Sequence, residues 1–364
     1  MRTTILVYLL LTFFLAGTSH ASDQPKLAGA KVIARSAEAG LQTSIRDLLK
    51  SDAMQGSSSW IAYSVPLVAG EHHVCCFNNT SRHDGSCCGT CRLEPRSSGL
   101  STADHQGDCQ PALISSLYVF LRAENRQIEQ VRVFSSDCLI DATGATVYWL
   151  NQVVPAQSVS YLESLLPQDA ASPTRHRTDE IVTAIALHQD PTADHALEKL
   201  VQPGQPAKVR QQAAFWIGNS RGNHGLDILI PLIKSDDDRR FLEQAIFAVS
   251  QSSEHDRAFK ILVDFARRDP RSQVREQALF WLAQEAGKKA AGVIADSIEN
   301  DPETDVKKKA VFALSELPQE EGVPLLIEQA RNNRNPVVRK EAVFWLGQSQ
   351  DPRALDFITS ILEH

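Results

Sequence analysis

Seven cysteines gathered between residues 75 and 138 are the side chains of this sequence most able to do chemistry. They are Cys75-Cys76, Cys87-Cys88, Cys91, Cys109 and Cys138, and the stretch from Cys75 to Gln110 is otherwise dominated by Gly, Ser, Asn and Asp. A segment so poor in apolar residues cannot build a core and needs crosslinks or metal to hold a shape. Three chemistries fit. Two vicinal pairs facing each other across a short polar loop are suited to disulfides, and with seven cysteines three bonds leave one thiol over. Cys88-x-x-Cys91 is also a common half of a tetrahedral zinc site, which Cys75, Cys76, His72 and His73 could complete. A reactive thiol would need a neighbouring base to lower its pKa, and His72, His73 and His83 are near in sequence.

The compartment decides between these, and the first residues read as an export signal. Arg2 gives the positive start, Ile5 to Ala16 is a twelve-residue apolar core, and Ser19-His20-Ala21 offers small residues for cleavage. Residues 1–21 are therefore expected to be a signal peptide, because the apolar core is short for a span of about 20 residues. Thr18 stands where a lipoprotein signal would carry its cysteine. The mature protein is expected to be periplasmic or secreted, with no membrane span. Oxidising compartments favour disulfides, so crosslinks are preferred and zinc is the alternative; no other cofactor is expected. A net charge of -7 with no compensating basic block argues against nucleic acid or anionic membrane as partner.

Elements must position these groups. Lys26 to Lys50 reads as a helix ending near Ser51, with Ile45, Leu48 and Leu49 at helical spacing. Trp60 to Val65 alternates and is rich in strand formers, stopped by Pro66. Leu117 to Arg122 and Ile128 to Phe134 flank a hairpin connection, and Val147 to Leu150 follows the turn signal Asp141-Ala142-Thr143-Gly144. Gln157 to Leu166 reads as a short helix. Residues 22–166 are expected to form a small cysteine-rich α+β domain, and residues 167–177, with two prolines, a linker.

Residues 178–364 change character to Ala, Leu, Gln and charges with helical periodicity. Val209-Arg-Gln-Gln-Ala-Ala-Phe-Trp-Ile217 recurs as Phe241 to Val249, Val274 to Leu282, Val306 to Leu314 and Val338 to Leu346. The phenylalanines Phe215, Phe247, Phe280, Phe312 and Phe344 follow one another at 32, 33, 32 and 32 residues. That period marks a two-helix unit that buries its apolar face only by stacking on neighbours. A weaker copy, Glu180 to His188 with Asp194 to Leu200, opens the array. Second helices are expected at Leu226 to Lys234, Asp256 to Arg268, Lys289 to Glu299, Gly322 to Asn332 and Pro352 to Glu363. Asp269-Pro270, Asp301-Pro302, Asn335-Pro336 and Asp351-Pro352 read as caps with proline in the first turn. The recurrent Phe is expected in the core, and the residue after it alternates as Trp216, Ala248, Trp281, Ala313, Trp345. Packing of large against small is preferred over an exposed tryptophan ladder for an extended ligand.

The pattern Asp-Pro-x-x-x-Val-Arg-x-x-Ala followed by an aromatic and Leu, fullest from Asp269-Pro270 to Ala278, resembles the HEAT family and its bacterial HEAT-like branch. In repeats of this kind Arg210, Arg275, Lys307 and Arg339 are expected to bond the preceding turn's aspartate as a structural ladder. Together with Trp60 to Pro66, Cys91 to Glu94 and Val131 to Ser135, the chain looks like exported bacterial HEAT-repeat proteins. The fold implied is an α-solenoid behind a small cysteine-rich α+β domain. The function implied is a scaffold for a protein or peptide rather than an enzyme. No phosphate-binding loop, Gly-x-Ser-x-Gly or His-Glu-x-x-His is present. The alternative is a thiol- or metal-dependent enzyme in the cysteine-rich part, with the solenoid recruiting its substrate.

Overall fold

The computed structural model describes residues 25, 27–51, 59–70, 90–94, 115–136, 138–167 and 175–363. The expected signal at 1–21, Cys75, Cys76, Cys87, Cys88, Cys109 and the histidines at 72, 73 and 83 lie outside them, as does most of the expected linker.

The segment expected as one helix from Lys26 divides. β1 (Leu27–Ala28) and β2 (Lys31–Ser36) precede α1 (Leu41–Lys50). Gly29 and Gly40 carry positive φ angles of 74° and 94°, which interrupt any helix there. At Gly29 a Cβ would sit 2.5 Å from Thr143 Oγ1, so that turn has room only for glycine. β2, with Val32 and Ile33, pairs in parallel with β8 (Thr146–Asn151). The remaining strands are β3 (Ser59–Pro66), β4 (Thr90–Arg92), β5 (Ser116–Glu124), β6 (Gln127–Ser135) and β7 (Leu139–Asp141), followed by α2 (Pro155–Ser164). The β5–β6 hairpin turns on Asn125 and Arg126 alone, with φ of 51° and 63°, the geometry that suits the twist of its strands.

Five strands form a sheet in the order β2-β8-β3-β5-β6, and three short ones form a second, β1-β7-β4. Side chains alternate across the large sheet. Trp60, Ala62, Phe120, Phe134 and Trp149 face a cluster that includes Cys91, Leu93, Cys138 and Ile140 of the smaller sheet and its flanks. Ile61, Tyr63, Val65, Val119 and Leu121 join the opposite cluster with α1 and α2.

That second cluster runs without a break into the helical repeats. These are six pairs: α3 (Arg175–Leu187) with α4 (Pro191–Leu200), α5 (Ala207–Ser220) with α6 (Gly222–Ser235), α7 (Arg239–Ser250) with α8 (His255–Arg268), α9 (Ser272–Ala286) with α10 (Lys288–Asn300), α11 (Thr304–Ser315) with α12 (Gln319–Asn332), and α13 (Pro336–Gln348) with α14 (Pro352–Leu362). First helices pack on first helices along the stack, more closely than second helices do on second helices. α5 and α7 approach closely at Gly218, where a Cβ would lie 2.2 Å from the Ala248 carbonyl oxygen.

Asn335 and Asp351 cap α13 and α14 with proline in the first turn, as expected. Asp269 and Asp301 do not cap, because α9 and α11 start later, at Ser272 and Thr304. Their carboxylates instead accept the amides of Arg271 and Glu303, closing tight turns, and bind guanidinium groups. Arg275 donates from Nε and Nη2 to Asp301 at 2.7 and 3.0 Å, and Arg210 donates from Nη2 to Asp236 at 2.5 Å. Each partner is the aspartate of the following turn, 26 residues on, and not of the preceding one. The reason is that each arginine also bonds back to the loop before its own helix, Arg275 to the Asp269 carbonyl and Arg210 to that of Val201. Lys307 and Arg339 bond only carbonyls, of Glu299 and Asn333.

Candidate functional site, the aromatic row of the first helices

The recurrent phenylalanines are not in the core. Phe215, Phe247, Phe280 and Phe312 are half-buried, and Phe344 is 54% exposed. The core positions of the same helices are Val209, Ala213 and Ile217 and their equivalents, which are buried throughout. The phenylalanines therefore form a row along the outer side of the first helices, ring against ring. Phe215 stacks on Phe247 at 5.9 Å between centroids and Phe280 on Phe312 at 6.1 Å.

The tryptophans knit this row together. Trp281 reaches back to Phe247 at 4.6 Å and Trp345 to Phe312 at 4.8 Å, while each also meets the Phe beside it in the chain. Trp216 has no phenylalanine behind it, and its Nε1–H donates instead to Thr183 Oγ1 on α3. The small residues Ala184, Ala248 and Ala313 precede each of these tryptophans in the stack and are fully buried. Large following small is thus a backward lean of each indole onto the preceding repeat. Trp216, Trp281 and Trp345 remain half-buried, so they pack and face solvent at once.

Charge decorates the row without dominating it. Lys309 lies over Phe312 at 4.4 Å and Phe280 at 5.3 Å, a cation–π bridge between two repeats. Arg239 pairs with Glu243 one turn on. Burial, with the charge of Asp305, holds the Glu276 carboxyl above its ordinary range against the pull of Lys309 and Arg239.

The cysteines give a different result. Of the seven expected crosslinking positions only Cys91 and Cys138 are described, and both are buried and disulfide-bonded. A sulfur so bonded is not a thiolate and takes no part in zinc binding or nucleophilic attack. Among the described residues no group of His, Cys, Asp and Glu could hold a metal ion.

One buried polar cluster was not legible beforehand. His188 Nδ1 lies 2.6 Å from the Ala184 carbonyl and Nε2 2.8 Å from Ser158 Oγ, which lies 2.8 Å from Tyr63 Oη. The carbonyl can only accept, so Nδ1 carries the proton, Ser158 donates to Nε2, and Tyr63 donates to Ser158. Burial lowers the His188 pKa to about 4 and keeps the ring neutral. Ser158 and His188 are closed to solvent, so this serine–histidine pair meets no substrate. It joins β3, α2 and α3. Backbone bonds from Val68 to Leu187 and from Gln189 to Pro66 complete the same junction.

The sequence profile of HEAT repeats matches residues 193–283 and 293–364. Those two stretches are HEAT repeats. The structure adds a further pair before them, α3 with the start of α4, which packs on α5 like the rest. No curated protein sequence matches the chain. Similar solved structures include human deoxyhypusine hydroxylase in complex with glycerol, at 20% identity over 56% of this chain and 77% of that one, with a TM-score of 0.24. YibA of Escherichia coli is similar at 21% identity over 54% of this chain and 71% of its own, with a TM-score of 0.33. A chain of the complex in which Kap95p binding switches the loops of RanGDP is similar at 12% identity, covering 58% of this chain and 37% of that one, with a TM-score of 0.29. Likeness of that degree says nothing of what this chain binds. Among the described residues, no helix of these HEAT repeats or of the sheet-bearing part is long and apolar enough to cross a membrane.

Proposed function

We propose that this protein is an exported, non-catalytic scaffold that binds a protein or peptide along the first-helix face of its HEAT repeats. The observation that carries the reading is the aromatic row. Isolated apolar residues at a surface need no explanation, but a contiguous line of half-exposed Phe and Trp over five repeats marks an interaction surface. HEAT repeats suit such a role because each unit adds a rigid helix pair to an extended face.

Export is supported by the apolar Ile5 to Ala16 behind Arg2, and by the disulfide-bonded Cys91 and Cys138, which suit an oxidising compartment. In this reading the remaining cysteines complete a crosslinked α+β unit that caps the first repeat through the His188 junction.

The test is capture of partners with full-length protein and with a Phe247→Ser/Phe280→Ser variant, each captured partner then being purified and bound again directly. Both substituted rings are half-exposed, so the variant keeps its fold. Loss of rebinding by at least tenfold supports the aromatic face. Rebinding that is unchanged places the contact elsewhere. Mass measurement of the mature protein from its own cells checks export, with a start at Ser22 expected.

A further inference from the structure

Two helices of the sheet-bearing part start at one hollow. α1 opens behind Gly40, whose φ of 94° turns the chain into the helix, and α2 opens with Pro155 behind Val154. Gln42 and Thr43 from the first turn of α1, with Gln157, Ser160 and Tyr161 of α2, line a hollow of about 350 Å³. A helix start leaves amides unpaired and carries a partial positive charge, which a capping oxygen or an acidic residue in the first turn usually answers. Neither helix has an acidic residue in its first turn, and neither N-cap side chain accepts a bond. Gln157 Oε1 accepts the Leu41 amide at 2.9 Å, which ties the two starts together and leaves Gln157 Nε2 as a donor. The amides of Gln42, Thr43 and Ala156 have no partner among the described residues.

Tyr161 points to a ligand. The residue is only 9% exposed and lines the hollow, and its hydroxyl has no hydrogen-bond partner among the described residues. A long helical side chain leans back over the preceding turn, which here carries Gln157. Burial pushes the Tyr161 pKa up to about 12, so the hydroxyl stays protonated and donates. Tyr63, also buried, is bonded to Ser158. A buried hydroxyl without a bond is costly, and an acceptor entering the hollow satisfies it.

We propose that the hollow between the starts of α1 and α2 binds a singly charged carboxylate carrying a short uncharged body. The site lies outside the HEAT repeats and is independent of the scaffold reading. Its free groups are donors, and a carboxylate only accepts. Among the described residues no charged side chain lines the hollow. Two helix starts of about half a positive charge each balance one negative charge, whereas the second charge of a phosphate would enter without a counter-ion. The charged residues next along the chain do not alter this. Glu38 and Arg46 are exposed and opposite in sign, and Glu163 is paired with Lys199. Leu41, Ala156 and the Tyr161 ring leave apolar wall for the carbon body.

The experiment follows the Thr43 amide in spectra of full-length protein labelled with 15N-threonine, the resonance being identified by its loss in Thr43→Ser. Sodium butyrate, acetyl-dialanine with a free carboxylate, the same peptide as its amide, and inorganic phosphate are titrated in turn. Butyrate or the peptide acid is expected to move the signal saturably downfield, and the peptide amide is not. Tighter binding of the peptide acid makes the natural source a chain end, and tighter binding of butyrate makes it a free acid. Tyr161→Phe should weaken binding at least fivefold with an unchanged melting temperature. Gln157→Glu sets a carboxylate of the protein's own at the two helix starts, so it should abolish binding and leave the fold at least as stable. No saturable shift with either acid overturns the proposal, as does equal binding of the peptide amide or tighter binding of phosphate. So does parental affinity in either variant, or a lowered melting temperature of Tyr161→Phe, since the hydroxyl would then have a partner inside the protein.

Discussion

Replacing Arg275 by methionine should be among the most damaging single changes in the repeats. The guanidinium holds Asp301 through two bonds of 2.7 and 3.0 Å, and the two side chains are only 7% and 5% exposed. Removing it leaves a buried carboxylate without its counter-charge, a change that costs about 3–5 kcal/mol in comparable settings. Asp301 keeps one bond, from the Glu303 amide at 2.9 Å, so the lower end, about 3 kcal/mol, is expected. The Asp269 carbonyl loses its donor as well. Methionine retains most of the stem, which separates electrostatics from lost packing. Urea unfolding followed by tryptophan fluorescence gives the magnitude, with Trp281 on the same helix as a local reporter. Native-state hydrogen exchange belongs beside it, because stacked repeats can open in segments. The companion Arg275→Met/Asp301→Leu removes both charges and should recover to within about 1 kcal/mol of the parent, since an apolar pair can replace a buried ion pair. A single variant within about 0.5 kcal/mol of the parent would refute the reasoning. A double variant no better than the single would assign the loss to the carbonyls and not to the stranded carboxylate.

Ala248→Trp should destabilise by about 1–3 kcal/mol through overpacking, because Ala248 is fully buried beside the close approach of α5 and α7; thermal melting checks it, and an unchanged midpoint refutes it. Gly218→Ala should cost a similar amount, roughly 1–3 kcal/mol, by pushing the Ala248 carbonyl away, whereas Gly347→Ala, which meets nothing within 4 Å, should be neutral or slightly stabilising. The His188 junction makes stability depend on pH. Its folded pKa of about 4 lies below the usual 6.5, so the unfolded chain binds the extra proton between those values. Stability is complete above about pH 6.5 and falls by about 3 kcal/mol as pH drops to 4, and urea titrations of the parent and of His188→Gln should differ in that slope.

The repeat was legible because 32- and 33-residue spacing is a global signal that local ambiguity cannot hide. The phenylalanines depart from the expected burial for a local reason. They sit in a run of apolar residues, and apolar neighbours suggest burial. Helical geometry says otherwise: at about 100° per residue, Phe215 falls roughly 160° round α5 from the middle of the Val209–Ala213–Ile217 line. Where the alternation of Trp with Ala suggests packing of large against small, Trp281 and Trp345 lean on Phe247 and Phe312 of the preceding repeat and stay half-exposed. In the sheet-bearing part β3, β5, β6 and β8 announce themselves by alternation, whereas β1, β4 and β7, of two or three residues, carry no period to read. Lys31 to Ser36 reads as helix because its neighbours tolerate one, and only parallel pairing with β8, more than a hundred residues away, makes β2 a strand. His188 gave no signal at all, since its partners come from β3 and α2.

The buried ion pairs and the aromatic row lie on different sides of the first helices but depend on one another. A row of rings can read an extended ligand only if its helices keep a constant pitch, and core packing alone tolerates sliding. Arg210 and Arg275 remove that freedom, since each ties the loop before its own helix to the aspartate of the turn that follows its repeat. At Lys307 the turn that follows its repeat offers Asn333 in place of an aspartate, and the lysine keeps one bond, to the Glu299 carbonyl, while Arg339 bonds only carbonyls of the loop before its own helix. The clamp is therefore complete in the α5–α6 and α9–α10 repeats, while in α7 the position is Leu242. Loosening the clamp at Arg275 should therefore weaken a partner that spans several repeats of the aromatic row, while leaving one held by a single repeat unaffected.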